Sequence, residues 1–299
     1  LLRKKPSKIS DFMERLMNAT IAAAGRKPMP NAAQYIAAFF RGDPVLAGIA
    51  ILMLFAMAPT LSAMAMDTRT TNGINVWDKP FKFQLALFMY AATLALYANW
   101  LPKTMRESPA YRIFSLVVAA CIVLEMIWLV GAAANGIPSH FNEGSAFMAS
   151  TYRLMGILAI ILTSASLVFG IAFLRDRDSS LDPAFRLSLG QGLVLTFLAT
   201  VIVAGFMASG PGHWVGGTPT DSAGLAFMGW SRDGGDLRVS HFFATHALHF
   251  VPAVGFLASK ALLPAKARLA VYSASIAFTG LIVFTFFQAL AGRPFLPFL

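Results

Sequence analysis

The chain alternates long apolar runs with short polar breaks. Seven runs, Val45 to Met66, Phe81 to Leu101, Tyr111 to Ala134, Phe147 to Leu174, Phe185 to Ala208, Val239 to Leu263 and Arg268 to Leu290, can each cross ~30 Å of hydrocarbon as a helix. None shows the two-residue alternation of a barrel strand, and a backbone in lipid must satisfy its own hydrogen bonds, so helices are predicted for all seven. The expected fold is an all-α integral membrane protein, a bundle of seven transmembrane helices.

Ahead of the first run the pattern changes. Ile9, Phe12, Met13, Leu16 and Met17 recur at helical spacing beside the capping residues Ser10 and Asp11, and Asn31 can cap a second helix carrying Tyr35, Ile36, Phe39 and Phe40. Residues 1–43 are therefore expected to form a cytoplasmic amphipathic arm lying in the interface plane, with residues 44–299 as the seven-helix membrane domain. No compact apolar core with a small-residue cleavage site precedes the first span, so the arm is not read as a signal peptide.

Composition agrees: 57% hydrophobic and 13% charged residues leave too much apolar surface for one soluble core. Lys and Arg divide unevenly between the loops. With the N-terminus inside, one side holds Arg3, Lys4, Lys5, Lys8, Arg15, Arg26, Lys27, Arg41, Lys103, Arg106, Arg112, Arg175, Arg177, Arg186, Lys260, Lys266 and Arg268, and the other only Arg69, Lys79, Lys82, Arg153, Arg232, Arg238 and Arg293. Positive charge on the inside predicts a bacterial-type inner membrane protein with a cytoplasmic N-terminus and an outside C-terminus. The net charge of +10 suits contact with anionic membrane lipid. Basic residues scattered over short membrane-flanking loops do not make a nucleic-acid platform. Cys121 is the single cysteine, which excludes a dithiol and a Cys-rich zinc site.

The candidate chemistry lies on the predicted outer side, where all five histidines fall: His140, His213, His241, His246 and His249. Ionisable groups in or beside a spanning helix persist where they face a bundle interior, a wet cavity or an ion. His241, His246 and His249 fit one broad face of span six. Glu125 sits near the middle of span three, where a carboxylate must be paired, protonated or bound to a cation. A structural ion pair with Arg153 or Lys82 is one expectation for it, and contact with His249 is another. On span two, Lys79, Lys82, Tyr90, Thr93 and Tyr97 form a polar stripe expected either to face other helices or to snorkel to the head groups. The loop Ser209 to Arg238 is long and glycine-rich, as expected of a cap over a site or a partner surface.

Imidazoles with a carboxylate suit Zn, Fe or Cu, and a haem needs only an axial histidine with cations for its propionates. His241, His246 and His249 are the candidate metal ligands, with His140, His213 and Arg238 as further cofactor-binding candidates. Glu125, Lys82 and Arg153 are the candidate catalytic groups, the cations stabilising an anion. The expected activity is redox or hydrolytic chemistry on a lipid-soluble or outer-face substrate. The competing expectations are a hydrogen-bonded polar core without a ligand, a small-molecule transporter, and a non-catalytic subunit docking through the arm and the 209–238 loop. His-Glu-x-x-His is absent, and span seven has no lysine for a retinal Schiff base.

Overall fold

The computed structural model describes residues 32–296. By internal packing the chain divides after Ala38. Of the first unit, residues 32–38 are described and begin helix α1 (Ala32–Gly42). The predicted helix around residues 9–17 and its caps, and the capping residue Asn31, lie outside the described residues. The second unit contains seven long apolar helices: α2 (Pro44–Met66), α3 (Asp78–Tyr97), α5 (Pro109–Ala134), α6 (Ala146–Arg175), α7 (Pro183–Ala208), α8 (Leu237–Ala261) and α9 (Pro264–Leu290). A short helix α4 (Lys103–Arg106) joins α3 to α5. The protein is an all-α, seven-helix membrane protein.

Five of the seven starts are fixed by a side-chain cap. Asp43, Ser108, Ser145, Asp182 and Asp236 each accept hydrogen bonds from the first free N–H groups of α2, α5, α6, α7 and α8. Proline follows at the first helical position of α2, α5 and α7, and begins the otherwise uncapped α9; there its missing N–H costs nothing. These polar first turns place helix starts a few residues ahead of the apolar runs that betray the spans. Asp43 does more than cap. It is 2% exposed, accepts from Val45 and Leu46 N–H at 2.9 and 3.0 Å, takes the Tyr111 hydroxyl at 2.8 Å and also accepts from Ser115 Oγ, so one carboxylate pins α2 to α5.

Helix α7 packs against α6, α8 and α9, α8 against α9, and α2, α3, α5 and α6 form the other part of the bundle. Phe169, Phe173, Leu189 and Leu193 fill its middle with almost no exposure. The crossing of α7 and α8 is close because Gly192 carries no side chain: a Cβ there would stand 2.8 Å from Pro252 Cδ and 2.9 Å from the Ala247 carbonyl oxygen. Large apolar side chains such as Phe55, Ile276 and Phe287 are exposed on the helix flanks. That surface would be an aggregation hazard in water and is the matching surface in hydrocarbon.

Pro252 leaves the Leu248 carbonyl of α8 without its usual N–H partner four residues on. Tyr97 of α3 supplies the missing donor, its hydroxyl 3.0 Å from that oxygen. The polar stripe of α3 thus faces its neighbours at Tyr97, at Thr93, which bonds His249 of α8, and at Tyr90, whose hydroxyl reaches Ser166 and the Leu162 carbonyl of α6.

Connections at one end of the bundle fold onto one another. Strands β1 (Thr70–Thr71) and β2 (Ile74–Asn75) make a small hairpin between α2 and α3, and β3 (Trp214–Val215) pairs antiparallel with β4 (Gly235–Asp236) at the two ends of the long loop. That loop donates its Asp221 N–H to the Asn72 carbonyl of the hairpin at 2.9 Å, so the two connections form one cap. Arg69 joins in, its guanidinium bonded to Asp67 and to the Ala134 carbonyl at the end of α5. The opposite end carries the Asp43 network, the Trp100–Phe185 ring contact, and a cavity of about 390 Å³ lined by residues 99–104 and by Asp176 and 178–181.

Candidate functional site at the capped end

The capped end assembles an ion network from three connections and two helix starts. Asp236 caps α8 and also holds Arg238, whose Nε lies 3.0 Å from one carboxylate oxygen and Nη2 2.6 Å from the other. The same Nη2 bonds Asp221 at 2.7 Å and the Gly229 carbonyl at 2.6 Å, tying the loop to the helix. Asp221 is buried and stands 3.5 Å from His213 Nε2. Burial alone would raise the Asp221 carboxyl, but the His213 hydrogen bond and the Arg238 charge outweigh it and hold the group below its ordinary value. His213 is pushed down chiefly by burial, with its ring against Trp214, centroids 3.9 Å apart.

His140 reaches the same region from the α5–α6 connection. Its ring lies between Phe83 and Tyr152, centroids 5.8 and 5.7 Å away, and its Nδ1 is 3.1 Å from Ser139 Oγ. Burial and the nearby Lys79 charge hold it well below the ordinary histidine value, so the neutral ring is the resident form. Lys82 pairs with Asp78 at 2.6 Å. Lys79, one residue on from Asp78, makes no ion pair or hydrogen bond among the described residues and sits within electrostatic reach of Arg238 and Asp221.

Below this network, α8 turns its histidines inward. His246 stacks on Phe242, centroids 4.0 Å apart, and its Nδ1 is 2.7 Å from the Phe242 carbonyl. That bond makes Nδ1 the protonated nitrogen and leaves Nε2 with the lone pair. The His249 ring is 5.6 Å from the His246 ring and contacts Thr93 Oγ1 through Nε2 at 2.9 Å. The Nδ1 atoms of His241 and His249 are buried with no hydrogen-bond partner among the described residues.

The expected residues are only partly brought together. His241, His246 and His249 share the first half of α8, and Lys82, Arg238, His140 and His213 gather above them. Glu125 does not join: it is 4% exposed on α5, its Oε1 has no hydrogen-bond partner, and it makes no hydrogen bond or ion pair with a histidine or a cation among the described residues. Arg153 is exposed on α6 and pairs with no acid among the described residues. Neither expected ion pair of Glu125 forms, because Lys82 is taken by Asp78 on its own helix and Arg153 is exposed on α6, and α5 packs mainly against α2, α3 and α6, away from His249 on α8. Among the described residues no group of three or more His, Cys, Asp and Glu side chains is arranged to hold a metal ion. Sequence reasoning missed Lys79 and Asp221 as members of the network. The Asp78-Lys79 pair at a helix start and the single acid of the Thr218 to Gly229 stretch were the available signals.

Comparison of the chain with protein-family models, curated proteins and solved structures returned no match. Fold and site therefore define the class, a seven-helix membrane protein with a capped polar end.

Proposed function

We propose that this membrane protein carries a cofactor at its capped end: the α8 histidines bind a metal ion or a haem that supports redox or hydrolytic chemistry on a lipid-soluble or outer-face substrate. The observation that carries the reading is the set of unspent imidazole nitrogens. A buried nitrogen without a partner costs about 1–3 kcal/mol, and two occur on one helix beside a third ring whose lone pair is already directed by a backbone carbonyl. A carbonyl orienting a ligating histidine from behind is the usual arrangement around metals. His246 and His249 supply two nitrogens, so water or substrate would complete a metal's coordination, whereas a haem needs a single axial histidine.

The charge asymmetry of the connections supports a cytoplasmic N-terminus and an outward capped end in a bacterial-type inner membrane. The alternative reading is a non-catalytic subunit of a membrane complex. Its support is the loop tip around Phe227, which is 62% exposed and held at a φ of 64°.

Metal content by mass spectrometry, recorded with an optical spectrum on the detergent-purified chain and on His249→Ala, tests the proposal. Stoichiometric metal or a Soret band that the substitution removes is the expected result. A colourless, metal-free protein from metal-replete cells overturns it and favours the subunit reading.

A further inference from the structure

We propose that the mouth between α3 and α8 is a binding site for a phosphate-type oxyanion, held by Lys79, Lys82 and Arg238 over Gly229. The acids there equal these cations in number, and each acid already meets a cation through one carboxylate oxygen at least, Asp236 through both. Asp78 meets Lys82, Asp236 meets Arg238 and two backbone N–H groups, and Asp221 meets Arg238 and His213. The donors are not exhausted. Lys79 makes no hydrogen bond, Lys82 spends one contact of an ammonium that carries three N–H groups, and Arg238 makes no bond from Nη1 among the described residues.

Two of these spare donors converge on one point, and Lys79 stands within electrostatic reach of Arg238 beside them. A Cβ on Gly229 would stand 3.6 Å from Lys82 Nζ and 3.9 Å from Arg238 Nη1, so the missing side chain leaves a place where a ligand oxygen meets both cations. Gly229 is fixed there by the bond from Arg238 to its carbonyl and by its own N–H to the Leu225 carbonyl at 2.7 Å. Helix α3, which carries Lys79 and Lys82 in its first turns, also begins without a side-chain cap, so the positive end of its dipole is not offset there by a capping side chain. A guanidinium fork with two ammonium groups suits the several oxygens of a phosphate. The oxyanion has two sources, a soluble phosphate and the headgroup of an anionic lipid. The site uses none of the α8 histidines, so it stands or falls separately from the cofactor proposal.

The test is calorimetric titration of the detergent-purified full chain with inorganic phosphate, run beside native mass spectrometry in micelles doped with phosphatidylglycerol or phosphatidylcholine. Each arm is repeated on Lys79→Met, Lys79→Arg and Lys82→Met, with a melting curve on every variant. Saturable phosphate binding identifies a soluble ligand, and selective retention of phosphatidylglycerol identifies a headgroup; in either case Lys79→Met weakens binding at least tenfold and Lys79→Arg restores it. Should Lys79→Met fail to fold, Lys82→Met provides the same comparison. Absence of binding in both arms, equal retention of both lipids without phosphate binding, or a folded Lys79→Met that binds like the unaltered chain overturns the proposal.

Discussion

Replacing Tyr97 by Phe removes a hydroxyl and leaves the ring contact with Trp100 in place, centroids 5.8 Å apart. The hydroxyl is the partner of the Leu248 carbonyl, which Pro252 deprives of a helical N–H, and Leu248 is 1% exposed. Stranding a buried acceptor costs about 1–3 kcal/mol in water-soluble proteins, and single hydrogen bonds inside membrane proteins average nearer 0.6 with an upper end near 1.7. The expected loss is therefore about 1 kcal/mol, close to fivefold in the unfolding equilibrium. Pro252→Ala returns an N–H to the helix and gives the Leu248 carbonyl its own partner, so in that background Tyr97→Phe loses most of its cost. Unfolding in mixed micelles by increasing dodecyl sulfate, followed by far-ultraviolet circular dichroism on the four proteins of the cycle, measures the coupling. Equal cost of Tyr97→Phe in both backgrounds would refute the pairing of hydroxyl and proline.

Two further expectations concern the opposite end and the cap. Asp43→Ala removes the α2 cap and leaves the Tyr111 and Ser115 hydroxyls without their acceptor, so it should cost about 2–4 kcal/mol, against about 1 for a cap alone. Asp43→Asn keeps the cap and should cost clearly less in the same unfolding assay; equal losses would show that the cap contributes nothing beyond the charged network. His140 and His213 are both held below the ordinary value of 6.5 in the folded protein, so the unfolded chain takes up their protons first as pH falls. Their contribution is fully present above about pH 6.5 and declines below it, by at most about 1.4 kcal/mol per pH unit for each proton. Melting temperatures between pH 8 and pH 5 should fall in that window and His140→Gln should flatten the fall; an unchanged slope would separate His140 from the effect.

The spans were readable because hydropathy over about twenty residues overwhelms everything local, and the polar stripe of α3 was readable because its spacing is helical. The starts of the helices were less so: Asp43, Ser108 and Asp182 stand before prolines and announce caps, yet they lie just outside the apolar runs. Glu125 could not be placed from sequence, since its neighbours depend on which helices touch, and that order is set by close approaches such as Gly192 against Pro252 that no pattern within a single helix records. Lys82 had a partner one turn away on its own helix, whereas the closeness of Lys79 to Arg238 arises only when the start of α8 comes beside the start of α3.

The seam between α3 and α8 holds polar contacts from Thr93 to His249 and from Tyr97 to the Leu248 carbonyl. Beyond this point α8 turns to other neighbours, Gly255 lying against Ser188 of α7 and Ala258 clustering with Ala184 and Val271. His249 lies roughly 18 Å along α8 from Leu237 at the helical rise, about halfway through a ~30 Å hydrocarbon layer. A proton or cation arriving there from the capped end has moved part of the way through the transmembrane field, where a full crossing is worth about 2.3 kcal/mol per 100 mV for each charge. If the proposed cation is held at the α8 histidines, its binding would therefore respond to the membrane potential, which a binding titration across an imposed potential would read.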